Sequence, residues 1–569
     1  IQFDKKDREL LKMINDVLDN GLTTSEEKEV LSTSLHPHGI QNMVDTHEVR
    51  MALAVINLLE RLGNNEGSRE RLAALKTLHN EVVYSAQTSF KFNTSRVLIQ
   101  IMKDLVRARG NDEEQLKLIH DFQKAAAGNP RIVRHYLTKY FLLEMPEEWN
   151  QKTLDDHVHD SSTRGRKNPT YLVMDARVKG IRRLSVVYYN FIDPNVAFEL
   201  MEAASIMGIT VRIGIKLKAV HNGKYVEFIW TPRGFTGSHS VMEFLQDPKT
   251  RVFLEKGRKA EEWASNQVIK TLHHFNQVHV PSICSEYKLP EFELDEGRFM
   301  NFIASSQISL VHLAEFAHLS LLPLLTAKAD AIKEEMETAD QDKKKLLREE
   351  LDKLDALSPQ TIYLRWVHPK QNPVIPNLIV PQDDDRPDFL KYTIEEFLCA
   401  LKKLRPNSRV TLLTSFLEAK DVLELLWDNK GLITHLEVFN LKDWLNGRLT
   451  HLEEINDLQA AINQKNVLKI KHIILKLLQR EDIKNDAQLF AKLNEILQNI
   501  PKLINFYSKE ALGSRFGTDS TNSLGTRFGM GLAVPETLPR SAQKLIGKKG
   551  KLNPIKLPLS VPLSFSDIY

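Results

Sequence analysis

The sequence predicts an α/β fold, a barrel of alternating strands and helices carrying helical insertions and preceded by an all-α segment. Three observations predict it. Apolar residues recur at helical spacing through the first 145 positions, and past Asn150 the pattern changes to short β-rich runs alternating with helices. Third, a run at Asp155-Asp156-His157-Val158-His159-Asp160 is answered near the far end by Gly513-Ser514-Arg515-Phe516-Gly517-Thr518-Asp519-Ser520-Thr521, and the two look like the opening and closing strands of one barrel.

Composition bounds the class. The chain has 569 residues, 42% apolar and 27% charged, which is ordinary globular usage and enough for two or three domains or one elaborated barrel. No run reaches the roughly 18 uninterrupted apolar residues of a membrane helix, so no membrane role is expected. A formal charge of +3 is near balance at this size and gives no global pull toward nucleic acid. Two cysteines, Cys284 and Cys399, cannot build a disulfide framework or a thiolate zinc site, which fits a reducing compartment and makes the cytoplasm the expected location.

Taken in order, residues 1–150 read as an α-helical domain, with Val49, Leu53, Ile56 and Leu59 and then Val97, Leu98, Ile101, Met102 and Leu105 at helical spacing. His36-Pro37-His38-Gly39 reads as a turn with packing or capping histidines ahead of a ligand set. Residues 151–535 hold the barrel. Tyr171–Lys179 reads as a helix, Leu184–Tyr189 as a strand, Val196–Met207 as a helix and Val211–Leu217 as a strand, a parallel βαβαβ arrangement. Tyr225–Trp230 follows as a further strand after an Asn222-Gly223 turn. Two insertions are helical. That at about 326–358 is a heavily charged arm or hairpin able to serve a partner, and that at about 450–508 is expected to pack on the outside of the barrel. Residues 536–569 form a Pro/Lys-rich tail or linker, since prolines at this density preclude a regular helix or central strand.

Spacing carries a family resemblance. His157 and His159 are followed by a helix and a strand ending Val187-Tyr188-Tyr189-Asn190, then by a helix ending Met207-Gly208-Ile209 and a strand with Gly214-Ile215-Lys216-Leu217. Later come Arg409–Phe416, a helix through Leu426, Ile433–Asn440 and Gly517-Thr518-Asp519-Ser520-Thr521. In this order the motifs resemble those of the PHP superfamily, the polymerase and histidinol phosphatase group of metal-dependent phosphoesterases, in pieces from 154 to 245 and from 405 to 535. The resemblance implies a distorted TIM-like barrel with a metal site at its mouth. It also places the departures on ligand positions: Tyr189 or Asn190, Lys216, Ser415 or Phe416, and Thr521 stand where acidic or histidine ligands are expected.

The ligands that remain are His157, His159 and Asp519. Three cannot neutralise a trinuclear centre, but they match a mononuclear hydrolase site for one divalent metal, zinc or manganese. His368 or Glu437 is a candidate fourth ligand. Lys216 can neutralise the pocket a cation once neutralised. With Arg164, Arg166, Arg515 and Arg527, and with Ser520 and Thr521 as neutral donors, it makes a candidate anion site, although each arginine taken singly reads as a solvated loop residue. Lys216 and Arg515 are the expected stabilisers of charge on phosphate. No phosphate loop and no dinucleotide glycine fingerprint points to another enzyme class. Three functions follow: a degenerate barrel binding a phosphorylated or other anionic small molecule; a mononuclear metal-dependent phosphoester hydrolase; and an assembly scaffold engaging a protein partner through its helical domain or charged arm.

Overall fold

The computed structural model describes residues 67–85, 89–147, 153–303, 307–338, 340–381, 386–521 and 528–546. His36–Gly39, Arg527 and the tail beyond Ile546 lie outside the described residues.

Eight strands form one sheet in the order β7-β6-β5-β4-β3-β2-β1-β8. They are β1 (Thr153–Val158), β2 (Arg183–Tyr189), β3 (Thr210–His221), β4 (Lys224–Thr231), β5 (Arg409–Leu413), β6 (His435–Asn440), β7 (Gly513–Gly517) and β8 (Leu532–Ala533). β1, β2 and β3 pair in parallel, as do β5, β6 and β7. β4 runs antiparallel to both its neighbours. It turns back through Asn222 (φ 46°) and Gly223 (φ 73°), left-handed conformations that a tight hairpin needs and that Asn and Gly tolerate best. The sheet closes where β7 runs out: the Asp519 amide donates to the His157 carbonyl at 2.8 Å and the His159 amide to the Ser520 carbonyl at 3.1 Å. The barrel and helical insertions expected from the sequence are therefore present, with two antiparallel strands, β4 and the short β8 beside β1, in an otherwise parallel sheet.

Helices cover the outside. Pro169–Lys179 and Pro194–Met207 each begin with proline behind an Asn or Asp cap and end on a left-handed glycine, Gly180 and Gly208, so the local sequence sets both ends. Four helices from the first segment, Ser68–Ser85, Lys91–Arg107, Asp112–Ala126 and Pro130–Lys139, pack on this layer, and their apolar faces belong to the same hydrophobic core as the barrel. Charged contacts fix the docking: Arg71 is bidentate on Glu199, and Lys103 sits 2.5 Å from the buried Asp175. The second insertion, from Leu452 to Phe506, is helical and shares this core.

The insertion between β4 and β5 has a core of its own, built on Phe275, Ile283, Phe299, Leu313, Leu321 and Trp366. Residues Leu310–Thr338 and Gln341–Asp355 form the helical hairpin expected near 326–358. Leu310–Thr338 is long and apolar enough to cross a membrane, yet Leu313, Ala314, Ala317 and Leu321 lie buried in that core. The insertion sits over the end of β2. There the Gln307 amide holds both backbone groups of Tyr189, at 3.2 and 2.9 Å. Helix Pro248–His274 comes so close that a Cβ on Gly257 would stand 2.1 Å from the Asn190 carbonyl oxygen.

Candidate functional site

Two register shifts shape the barrel mouth. One lies in β1 between Asp155 and Val158, the other in β6 between Glu437 and Phe439. Such bulges re-aim side chains. Here they bring His157 and His159 from the end of β1 together with Asp519 from the loop after β7, with one candidate ligand atom of each lying within 4.8 Å of the others. Asp519 takes a left-handed conformation, φ 51°, which aspartate tolerates better than most residues.

Hydrogen bonds assign the histidine tautomers. Nδ1 of His157 is 2.7 Å from Oε1 of the buried Glu437, and Nδ1 of His159 is 2.9 Å from the Val187 carbonyl. A carbonyl only accepts, so His159 carries its proton on Nδ1 and its Nε2 lone pair faces inward. Burial pushes the His159 imidazole down to about 4, keeping it neutral near pH 7, although Asp519 pulls the other way. For His157, burial opposes a charge, but Glu437 outweighs it and the group is raised. Glu437 thus orients the ring, with Nδ1–H toward the carboxylate and Nε2 toward the mouth.

Two atoms of the group, His157 Nε2 and Asp519 Oδ1, lack hydrogen-bond partners, while His159 Nε2 has the Tyr189 hydroxyl at 3.3 Å. His157 Nε2 is buried without a hydrogen bond. Asp519 Oδ1 and His159 Nε2 stand 3.1 Å apart, within ion-pair reach but outside hydrogen-bond geometry. Two imidazoles and a carboxylate gathered this closely suit a cation among them, and a 2-His-1-carboxylate set is a known way to hold one divalent metal. Burial alone would raise Asp519, but Lys442 and the histidines hold it well below the usual carboxylate range. The His-His-Asp group could therefore hold a metal ion, and its residues fit one.

Cationic groups surround this point. Lys216 Nζ is 2.6 Å from Glu227 Oε2 and lies over the Tyr189 ring at 5.8 Å, while the Arg164 guanidinium covers the same ring at 4.9 Å. Burial lowers Lys216, yet Glu227 more than compensates and holds it charged; Glu227 falls to about 2. Lys442 Nζ is 3.2 Å from Asp519 Oδ2. Arg164, Lys216, Lys442 and Asp519 all line one cavity of about 1150 Å³ that runs outward beneath the insertion. Tyr189 OH is 3.3 Å from His159 Nε2. His312 of the roof lies within electrostatic reach of Arg164, and burial first, then that guanidinium, pushes it down to about 3.

The structure brings together His157, His159, Asp519, Lys216 and Arg164. Arg515 does not reach the cavity: it bonds His435 Nε2 at 2.8 Å and joins Arg183 and Arg212 around Asp156. The arginine lies two residues before Gly517, and inward side chains of a strand alternate, so it faces a lower layer of the barrel. The Arg166 side chain is exposed, and its amide donates to the Thr521 carbonyl. Ser520 and Thr521 serve closure of the sheet through their backbone and are not cavity-lining. Glu437 stands behind His157, outside the convergent group, and His368 lies in the insertion, where its Nδ1 accepts from the Lys370 amide. Sequence reasoning missed Lys442 and Glu227. The position of Lys442 two residues past the end of β6 was the available signal for the first, and none existed for the second, which needs the hairpin register Lys218↔Glu227 to bring it beside Lys216.

No family model matches the chain, and no curated protein matches it. Among solved structures it is similar to a protein assigned as a metal-dependent phosphoesterase from Bifidobacterium adolescentis, at 12% identity and a TM-score of 0.38 over 69% of this chain and 98% of that one. It is also similar to an amidohydrolase from Chromobacterium violaceum solved with sulfate bound and no metal, at 10% identity and a TM-score of 0.36 over 69% of this chain and 96% of that one. The class of fold, a distorted α/β barrel with helical insertions, stands on the order, register and closure of this chain's own sheet.

Proposed function

We propose that the barrel mouth is a one-metal site for a phosphorylated or similarly anionic ligand, with phosphoester hydrolysis as its chemistry. The observation that carries this reading is the grouping of His157, His159 and Asp519, with one ligand atom of each within 4.8 Å of the others and with His157 Nε2 and Asp519 Oδ1 left without hydrogen-bond partners. His157, His159 and Asp519 would hold one divalent metal, zinc or manganese, which supplies Lewis acidity and lowers the pKa of water. The chain's own residues do the rest. Glu437 and the Val187 carbonyl fix the two imidazoles in the ligating tautomer. Lys216, Arg164 and Lys442 attract the anion and oppose charge that builds on it.

A second reading is favoured by one specific contact. Lys442 already pairs with Asp519, and Lys216 stands where the resembling family has a ligand, so the mouth could bind an anion with protein cations alone. Elemental analysis of protein purified without chelator, beside a His157→Ala, His159→Ala double variant, separates the two. About one equivalent of metal that disappears in the variant, with hydrolysis of p-nitrophenyl phosphate, supports the first. Metal in neither, with sulfate binding that Lys216→Met weakens, moves the function to anion binding; absence of both overturns the proposal and leaves a scaffold role through the helical segment or arm.

A further inference from the structure

We propose that helix Val467–Leu478 of the second insertion is a docking surface for an anionic lipid bilayer, with Leu468 and Leu475 dipping below the headgroups and the lysines beside them at phosphate level. None of the barrel-mouth residues takes part.

The helix is apolar on two sides, and the fold uses one of them. Ile470, Ile474 and Leu477 recur at helical spacing and are buried where the helix packs against Leu452–Asn463, Ala487–Gln498 and Ile500–Phe506. On the other side Leu468 and Leu475 are 78% and 40% exposed, and Val467 at the helix start is 42% exposed. Seven residues bring a helix back to nearly the same face, so the two leucines form one ridge. Exposed leucines taken singly are ordinary; what marks this pair is the charge around it.

Between Asp457 and Glu481 the chain carries Lys465, Lys469, Lys471, Lys476 and Arg480 and no acidic residue. At 3.6 residues per turn Lys471 flanks the leucine ridge on one side, and His472, Lys476 and Lys469 flank it on the other. Arg480 is taken by Glu418 and Asp482. Lys469 and Lys476 reach Asp457 at 2.8 Å and Glu454 at 3.4 Å, surface pairs that water screens and that either lysine can leave at little cost. Lys465 and Lys471 are exposed and form no ion pair among the described residues. With a charge of only +3 over the whole chain, this cationic stretch is local.

Shape and charge together select the occupant. The crest of a single helix is convex and offers no slot for a partner helix or strand, whereas a flat anionic surface meets it along its length. Leucine side chains pass below the headgroups while the long lysine stems keep their ammonium groups among the phosphates. A helix lying on a bilayer needs no spanning length, so adsorption is a separate matter from the membrane crossing that the sequence gives no reason to expect. Helix Ala487–Gln498, packed against this one, lends Gln488, Leu489 and Lys492 to the lining of the large cavity, and docking would set that part of the cavity near the bilayer.

Co-sedimentation of the full chain with mixed phosphatidylcholine and phosphatidylglycerol vesicles, beside pure phosphatidylcholine, tests the assignment. Wild type is expected to bind the anionic vesicles and not the neutral ones, and more weakly as salt rises. Lys465→Gln and Lys471→Gln should each weaken binding roughly fivefold, the usual contribution of a lysine at an anionic surface. Leu468→Ser combined with Leu475→Ser should weaken it roughly tenfold or more and leave the melting temperature in place, because neither side chain belongs to the core. Leu346→Ser, 65% exposed on the helical hairpin, is the control and should change nothing. No binding by wild type, equal binding to both kinds of vesicle, or binding that survives the helix variants overturns the proposal. So does a loss in the lysine variants alone, since general charge attraction would then be the whole effect. Sedimentation velocity covers the other occupant: wild type that self-associates without binding vesicles, and that the leucine pair of substitutions makes monomeric, gives the face to a second copy of the chain and overturns the lipid assignment.

Discussion

Oε1 of Glu437 and Nδ1 of His157 stand 2.7 Å apart, with the two side chains 2% and 1% exposed. A carboxylate so buried and so close fixes which imidazole nitrogen faces the mouth. Partners of this kind typically change metal affinity by about 10–100-fold when removed. Glu437→Gln should weaken zinc binding by that factor while leaving the fold intact, because the amide retains an oxygen acceptor. Competition against a chromophoric chelator measures it; an unchanged affinity would mean that His157 is not a ligand.

Gly517 has no room for a side chain. A Cβ there would stand 2.4 Å from the His157 Cβ and 3.2 Å from Glu437 Oε1. Neither neighbour is the end of a flexible side chain free to swing away. Gly517→Ala is expected to cost about 1–3 kcal/mol of stability, as overpacking usually does, and to displace His157 enough to abolish metal uptake. Thermal melting and metal content read the two effects separately.

Glu261 lies against the Asn190 amide and lines the cavity, and burial pushes its carboxyl up to about 7 from an ordinary 4.5. A carboxyl whose pKa is raised on folding keeps its proton in the folded state while the unfolded chain has lost it. Stability is therefore fully present below about pH 4.5 and falls as pH rises toward 7. Glu261→Gln removes this slope. Urea unfolding at pH 5 and pH 8 should show the variant gaining about 1–2 kcal/mol on wild type at the higher pH, after discount for partial exposure. Parallel stability curves for the two proteins would refute the assignment.

Lys216 is held charged by Glu227 at the inner end of the cavity. Charge-assisted contacts to an anion contribute about 1.5–3 kcal/mol each, so Lys216→Met should weaken sulfate binding by roughly tenfold or more. Arg166→Met, an exposed control outside the cavity lining, should change it little. Equal losses in both would mean that only general surface charge attracts the anion.

Much of the barrel was legible from the alternation of short β-rich and helical runs, because each helix between β1 and β3 carries its own proline start and glycine stop. The ordered motifs also placed His157, His159 and Asp519 in one group. The fate of Arg515 was not legible. Facing on a strand follows a two-residue period, and the shifts in β1 and β6 alter which neighbours share a layer without leaving a mark in composition. Lys442 and Glu227 were hidden for a related reason. Each reaches the site through a tertiary contact, one with Asp519 and one with Lys216, that no local spacing encodes.

The contact between Gly257 and the Asn190 carbonyl leaves no space for even one added carbon, and it joins a mid-helix backbone to the end of a strand. It works as a keyed joint. Sliding of the long helix along the barrel rim would drive either flanking side chain into the carbonyl, whereas pivoting about the glycine would not. A widening of the mouth that keeps this contact would be a rocking of the β4–β5 insertion about residue 257. Such rocking would act on the two hydrogen bonds that tie the insertion to the end of β2, Gln307 to Tyr189 and Asn190 to Glu261.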